Sequence, residues 1–256
     1  MKKLQLVLIA LLLSLSANVS AQTADEIIDS YLETLGGKEK LMAIDNIKMV
    51  GNIAVQGMQI PVESTMTKDG KMFVIVEMGG TKSKQMICDG EKVWSMNRMT
   101  QKMEEMPGDQ SKAMINEFKD FPNAFVNYKD NGYTAELIDT VTEDGVECYK
   151  IKLTKKPMTL EGEEIPNVSF HYFDTESFIP ILVETEVPSG PAKGQMMKVP
   201  FSDYQEVDGI YFPYSTQMQG MPITYSEIVL NQKIEDSEFS VAEEEETPKT
   251  DEGNKN

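Results

Sequence analysis

The chain has 256 residues, with 42 Asp and Glu against 24 Lys and Arg, a formal charge of −18 and a single histidine. Acidity on this scale repels nucleic acid and anionic lipid headgroups, so a lipid contact has to be made through an apolar surface rather than a basic patch. The length suits one domain with a sizeable core, because all-β barrels run to about 200–250 residues as one unit.

Met1–Ala21 reads as a secretory signal. Lys2 and Lys3 form a basic start, Leu6 to Leu13 is an unbroken apolar run, and Val19-Ser20-Ala21 is a small-residue cleavage site. The run is shorter than the ~20 residues a bilayer span needs. Cleavage near Ala21 removes Lys2 and Lys3 and takes the charge from −18 to −20. No cysteine stands near the cut to accept a lipid, so the expected product is exported, soluble and unlipidated. One domain is expected over residues 22–240, and residues 241–256, charged and nearly free of large apolar side chains, read as a disordered acidic tail.

Thr23-Ala24-Asp25-Glu26 has the form of a capping box. Ile27, Ile28, Tyr31, Leu32 and Leu35 follow at helical spacing, and Gly36-Gly37 ends that helix. Lys38 to Ile44 forms a second short turn. From Ile47 the period changes to two. Ile47–Gln56, Ile60–Thr67, Met72–Met78, Lys84–Cys88 and Val93–Met96 read as strands separated by Gly57, Asp69-Gly70, Gly79-Gly80 and Asp89-Gly90. The pattern lapses from Asn97 to Asn131, where Asp109–Phe118 looks helical and apolar, a natural lid over a sheet. Strands resume at Tyr133–Thr142, Val146–Thr154, Val168–Asp174, Ile179–Val187, Gln195–Tyr204, Ile210–Gln217 and Ile223–Asn231, with Asn231–Phe239 closing the run. The resulting class is mainly β with a few helices, a barrel or sandwich of short antiparallel strands.

Catalytic groups are scarce. His171 is the one histidine, it alternates with Phe170 and Tyr172, and no G-x-S-x-G elbow supplies a nucleophile for it. Asp69, Asp89, Asp144 and Asp208 each precede glycine, the position of a turn former. No catalytic residue, metal site or cofactor is therefore expected, and the chain reads as a non-enzyme. Cys88 and Cys148 could form a bridge in an oxidising compartment or remain two buried thiols. Methionine is abundant, with 18 residues. Met96, Met99, Met103 and Met106 could offer thioethers to Cu(I), methionines could line an adaptable ligand surface, or they could simply fill the core.

Three stretches carry a resemblance in order along the chain: Gly36-Gly37-Lys38-Glu39-Lys40-Leu41 with Ile47–Gly51, then Cys88-Asp89-Gly90-Glu91-Lys92-Val93-Trp94, then Tyr204–Pro213 around Val207-Asp208-Gly209-Ile210. Together they resemble the LolA-like outer-membrane lipoprotein-sorting proteins, in the form found in Bacteroidetes. The resemblance implies a strongly curved antiparallel sheet forming an incomplete β-barrel, helices over its concave face, and a periplasmic location. It implies binding of an acyl chain of a lipoprotein or lipid, with membrane-bound donor and acceptor proteins as partners. The same fold serves as a protein-binding scaffold or envelope-stress sensor. The arginine that helps LolA chaperones release cargo is not carried over, because the single arginine here, Arg98, stands in another context. With one face of each strand taken as inward, the expected cavity residues are Met49, Ile53, Met66, Val74, Val76, Ile87, Trp94 and Met96. The expected helix lid is Ile28, Leu32, Met114, Ile115 and Phe118. A shift of one residue would turn any of these strands inside out.

Overall fold

The structure, a computed structural model, describes residues 22–218 and 220–241. The expected signal and all but the first residue of the expected acidic tail lie outside the described residues. Helix α1 (Ala24–Thr34) starts on the capping box: Thr23 Oγ1 accepts from Glu26 N at 3.2 Å, and Glu26 Oε2 accepts from Thr23 N at 2.8 Å. These bonds satisfy two N–H groups that a helix start would otherwise leave unpaired. The apolar stripe Ile27, Ile28, Tyr31 and Leu32 is buried.

The chain then turns through Gly36, whose φ of +122° lies outside the range an L side chain tolerates. A Cβ at Gly36 would stand 2.3 Å from the carbonyl oxygen of Gly209. Two of the stretches that carried the resemblance meet here: Tyr211 N donates to Leu35 O at 2.9 Å, and Lys40 Nζ donates to Gly209 O at 3.3 Å. A short helix, α2 (Lys38–Met42), follows.

The strands are β1 (Asn46–Val55), β2 (Met58–Thr67), β3 (Met72–Met78), β4 (Thr81–Cys88), β5 (Val93–Met96) and β6 (Met103–Glu105), then helix α3 (Gly108–Phe118). Next come β7 (Thr134–Glu143), β8 (Val146–Leu160), β9 (Glu163–Asp174), β10 (Pro180–Glu186), β11 (Met196–Pro200), β12 (Ser202–Val207), β13 (Ile210–Met218) and β14 (Met221–Leu230). They form two open antiparallel sheets. One has nine strands in the order β12-β13-β14-β1-β2-β3-β4-β5-β6, and the other five in the order β11-β10-β9-β8-β7. The mainly β, unclosed architecture agrees with an incomplete barrel.

Several boundaries differ from the sequence reading. β6 lies inside the stretch where the pattern lapsed, and β8 and β9 extend beyond Thr154 and before Val168. Gln195–Tyr204 is not one strand. It breaks at Phe201, whose N–H donates to Ile181 O, and Asp203 takes a φ of +55°, so β11 stays with the small sheet while β12 joins the large one. Asn231–Phe239, expected to close the run, follows β14 without adding a strand. It ends in a 3-10 turn (Asp236–Phe239) laid across the large sheet.

Three apolar clusters account for most of the core. The first lies under α1, between the two sheets. It joins Ile28, Tyr31 and Leu32 to Ile47 and Ile228 of the large sheet and to Ile151, Leu153 and Phe173 of the small one. The second lies under α3 on the same face of the large sheet, here called the inner face. The third lies on the outer face, where Phe239 packs on Phe73 with ring centroids 5.4 Å apart and Ile87 is buried beside them. Cys88 and Cys148 are free buried thiols in separate clusters, and burial pushes both thiols up, Cys148 to about 11.

Candidate functional site

Helix α3 covers the far end of the inner face. Ile115 is buried, and Met114 and Phe118 pack beside it against Ile53, Val62, Met72, Val74 and Val93. Six methionines meet in this cluster: Met66, Met72, Met86, Met106, Met114 and Met221. The first cluster is built differently. Its buried rings Tyr31, Phe125, Tyr128 and Phe173 stand edge-on or tilted to one another at 5.1–6.2 Å, and Met49 is its one methionine. Rigid rings thus fill the end under α1, and unbranched thioethers fill the end under α3. Thioether chains re-pack around irregular shapes more readily than rings do.

Polar bonds fasten α3 both on its sheet-facing side and on its exposed side. Val93 N donates to Ser111 Oγ at 3.0 Å, and both residues are buried. Gly162 N donates to Asp109 Oδ2 at 3.1 Å. Lys155 Nζ pairs with Glu117 at 2.5 Å and with Asp120, just past the helix, at 2.9 Å. Tyr133 Oη also donates to Asp120, and Asn167 Nδ2 to Glu117.

The expected site residues divide among these clusters. Ile53, Met66, Val74 and Val76 face α3, together with Met114, Ile115 and Phe118 of the expected lid. Met49, Ile28 and Leu32 belong instead to the ring-filled cluster under α1. Ile87 and Trp94 are corrections: they pair across β4 and β5 but lie on the outer face with Phe73 and Phe239. Met96, two residues after Trp94 in an uninterrupted strand, shares that outer face. Both faces of this part of the sheet are covered, so apolar character alone could not select the inner one. The sequence reading missed Val62, Met72, Met86, Val93, Met106 and Ile223. Met72 was findable, since it stands two residues from Val74 in the same strand; Met86 was not, because placing Ile87 inward turns Met86 outward.

The grouping Met96, Met99, Met103 and Met106 does not converge on one point. Met103 belongs to the outer cluster, Met106 to the inner one, and Met99 is 92% exposed on a hairpin tip. His171 is a packed side chain. Its ring stands 4.7 Å from Phe125, its Nε2 lies 2.8 Å from Ser169 Oγ, and desolvation, aided by the nearby Lys155 charge, pulls its pKa down to about 3. The imidazole is therefore neutral at ordinary pH.

Clefts in the described surface lie beside the helices. One, of about 240 Å³, lies beside α3 and is lined by Glu117, Lys119, Asp120, Tyr133, Lys155 and neighbouring asparagines. Another, of about 40 Å³, lies between Met42, Ile44, Phe121 and Val126. Neither is an apolar tunnel of the roughly 300–1,000 Å³ that buries a drug-sized ligand. Under α3 the inner face is packed with its own side chains, and Ile53, Val62, Met72, Val74, Val93 and Ile115 are all buried.

No protein-family model matches the sequence, and a search of curated proteins finds no match either. Solved structures do match. A DUF1329-family protein from Desulfovibrio piger superposes with a TM-score of 0.52 at 14% identity, covering 85% of this chain and 97% of its own. A LolA-superfamily protein from Nitrosomonas europaea gives 0.52 at 12% identity, covering 86% and 99%. Coverage of nearly the whole of both partners shows a shared architecture rather than a shared fragment. The open antiparallel sheets with helices laid on the inner face have the LolA-like fold.

Proposed function

We propose that the chain is a periplasmic carrier that takes an acyl chain of a lipid or lipoprotein between α3 and the inner face of the large sheet, and that it performs no chemistry on it. The observation that carries this reading is the gathering of six methionines under one helix, while the end under α1 is filled by rings. A cluster of unbranched, polarizable side chains can part around a flexible apolar guest. Each buried CH₂ of that guest contributes about 0.8 kcal/mol. Because these side chains are buried against one another in the described state, the guest is admitted when α3 lifts. Donor and acceptor proteins at membranes would supply and accept the cargo.

The dense packing of the inner face favours a second reading, a protein-binding scaffold or envelope-stress sensor of the same fold, with the methionine cluster as ordinary core. One experiment separates the two. The chain from Gln22 onward is purified without detergent and extracted with organic solvent, and the extract is examined by lipid mass spectrometry. A stoichiometric lipid or fatty acid supports the carrier. A clean extract, together with no uptake of a fluorescent fatty acid, refutes it in favour of the scaffold.

A further inference from the structure

The hairpin tips at one end of the large sheet differ in composition from the rest of this acidic chain. Antiparallel order places the β13–β14, β1–β2, β3–β4 and β5–β6 connections at one end of that sheet and the β12–β13, β2–β3 and β4–β5 connections at the other. The first set reads Met218-Gln219-Gly220-Met221, Gln56-Gly57-Met58-Gln59, Met78-Gly79-Gly80-Thr81 and Asn97-Arg98-Met99-Thr100-Gln101. With Lys102, which completes the last connection, these turns contain two cations and no carboxylate of their own; Glu104 of β6 reaches back to the last turn and accepts from Asn97 Nδ2 at 2.8 Å and from Thr100 Oγ1 at 2.9 Å. Every turn of the opposite set carries acid: Asp208, Asp69, and Asp89 with Glu91.

Three tips of the first set each expose a methionine, with Met58 59%, Met78 65% and Met99 92% accessible. The β10–β11 connection joins this end, since Gln217 Nε2 donates to Lys198 O at 2.8 Å. Its residues 187–195 contain one lysine and no acid, and Met196 beyond them is 48% exposed. Acid returns at the β8–β9 tip, with Glu161, Glu163 and Glu164, and this borders the rim on the side of the small sheet.

We propose that this rim seats the protein on a lipid bilayer, with the side chains of Met58, Met78 and Met99 entering the boundary between headgroups and acyl chains. Exposed apolar side chains rimmed by polar ones mark an interaction surface. Here they sit on separate turns, each ending in a flexible thioether, and so form no groove that would shape a protein partner. A bilayer asks for no such shape. Charge selects the same end. A body of net charge −18 is repelled by anionic headgroups, and the rim is the end of the large sheet whose turns carry cations and no carboxylate, with Glu104 held against the β5–β6 turn by Asn97 and Thr100. Only shallow apolar insertion then remains to hold the contact, as it does for interfacial segments generally. The seat needs no cargo, so it stands or falls apart from the acyl-chain site.

Flotation of the chain from Gln22 onward with vesicles of phosphatidylethanolamine and phosphatidylglycerol tests the seat. The wild-type protein should float with the vesicles, and the triple variant Met58→Glu, Met78→Glu, Met99→Glu should lose at least tenfold in bound fraction with an unchanged melting temperature. A control carrying the same added charge on exposed β7 positions, Thr134→Glu, Thr140→Glu and Thr142→Glu, should still float. Wild-type protein that stays unbound would overturn the proposal, as would equal loss in both variants. A concentration-dependent dimer that only the tip variant abolishes, without flotation, would overturn it too and assign the rim to a second copy of the chain.

Discussion

Replacing Ser111 by alanine probes whether α3 is a lid. Ser111 Oγ is the acceptor for the N–H of Val93, a residue with no exposed surface, at 3.0 Å. Without the hydroxyl that donor is buried and unpaired, which costs about 1–3 kcal/mol. Alanine is the better helix former and returns about 0.5 kcal/mol of that. A net loss of about 0.5–2.5 kcal/mol makes opening of the helix about 2–70 times more frequent. Hydrogen exchange followed by mass spectrometry should show faster exchange by that factor in peptides covering Gly108–Phe118. Peptides covering α1 should be unchanged, because α1 is held by its own capping box and the ring cluster. Uptake of a fluorescent fatty acid should accelerate by a similar factor. If the melting temperature falls while α3 exchanges no faster than α1, the helix opens only with the whole domain and the lid reasoning fails.

Other substitutions test other parts of the structure. Gly36→Ala would force a Cβ to within 2.3 Å of the Gly209 carbonyl at a φ of +122°, and should cost about 2–5 kcal/mol, read as a lower urea midpoint at unchanged slope. His171 has its folded pKa depressed to about 3, below the ~6.5 of an unfolded chain. The unfolded state therefore takes the proton first, and the contribution of the neutral ring is complete above pH 6.5 and is lost as pH falls toward 3. His171→Gln should flatten the stability profile between pH 4 and 6.5 relative to wild type; parallel profiles would show that the ring titrates alike in the folded and unfolded states. Phe239→Ala should cost about 3–5 kcal/mol and shift the emission of Trp94, the single tryptophan, to the red, because both residues belong to the outer cluster. An unshifted spectrum would mean that the C-terminal segment does not shield that face.

Local signals in the chain were strong wherever one interaction decided the outcome. The capping box at Thr23–Glu26, the Asp-Gly turn after Cys88 and the strands Met72–Met78 and Val93–Met96 formed where they were expected. The open β architecture and the placement of an apolar helix over the sheet were also legible. Facing was harder to read. Alternation identifies the inner side of a strand only when the other side meets water. In β3 the run Met72-Phe73-Val74 is buried on both sides, because the C-terminal segment covers the outer face. A β-bulge between Val74 and Ile75 then shifts the register against β4. Ile87, Trp94 and Met96 were assigned inward because both faces are apolar there; the bulge lies past them, and the uninterrupted pairing of Phe73 with Ile87 and of Ile87 with Trp94 puts them outward. The change of sheet at Phe201 was hidden for a related cause: both halves of Gln195–Tyr204 suit a strand, and what separates them is a bond to Ile181 in another strand.

The position of β1 bears on how the chain acquires its structure. β1 lies between β2, its next neighbour in sequence, and β14, whose residues follow it by more than 150 positions. For a chain that emerges N-terminus first, from a ribosome or a translocation channel, β1 through β6 can zip together hairpin by hairpin. One edge of β1 meanwhile stays unpaired until almost the entire domain has appeared. Pairings of such long range are slow to form. An open strand edge presents a row of backbone donors and acceptors to any neighbouring chain. Nascent chains of this protein should therefore depend on a holding factor until residue 230 is free, and truncation before β14 should convert a soluble domain into an aggregating one.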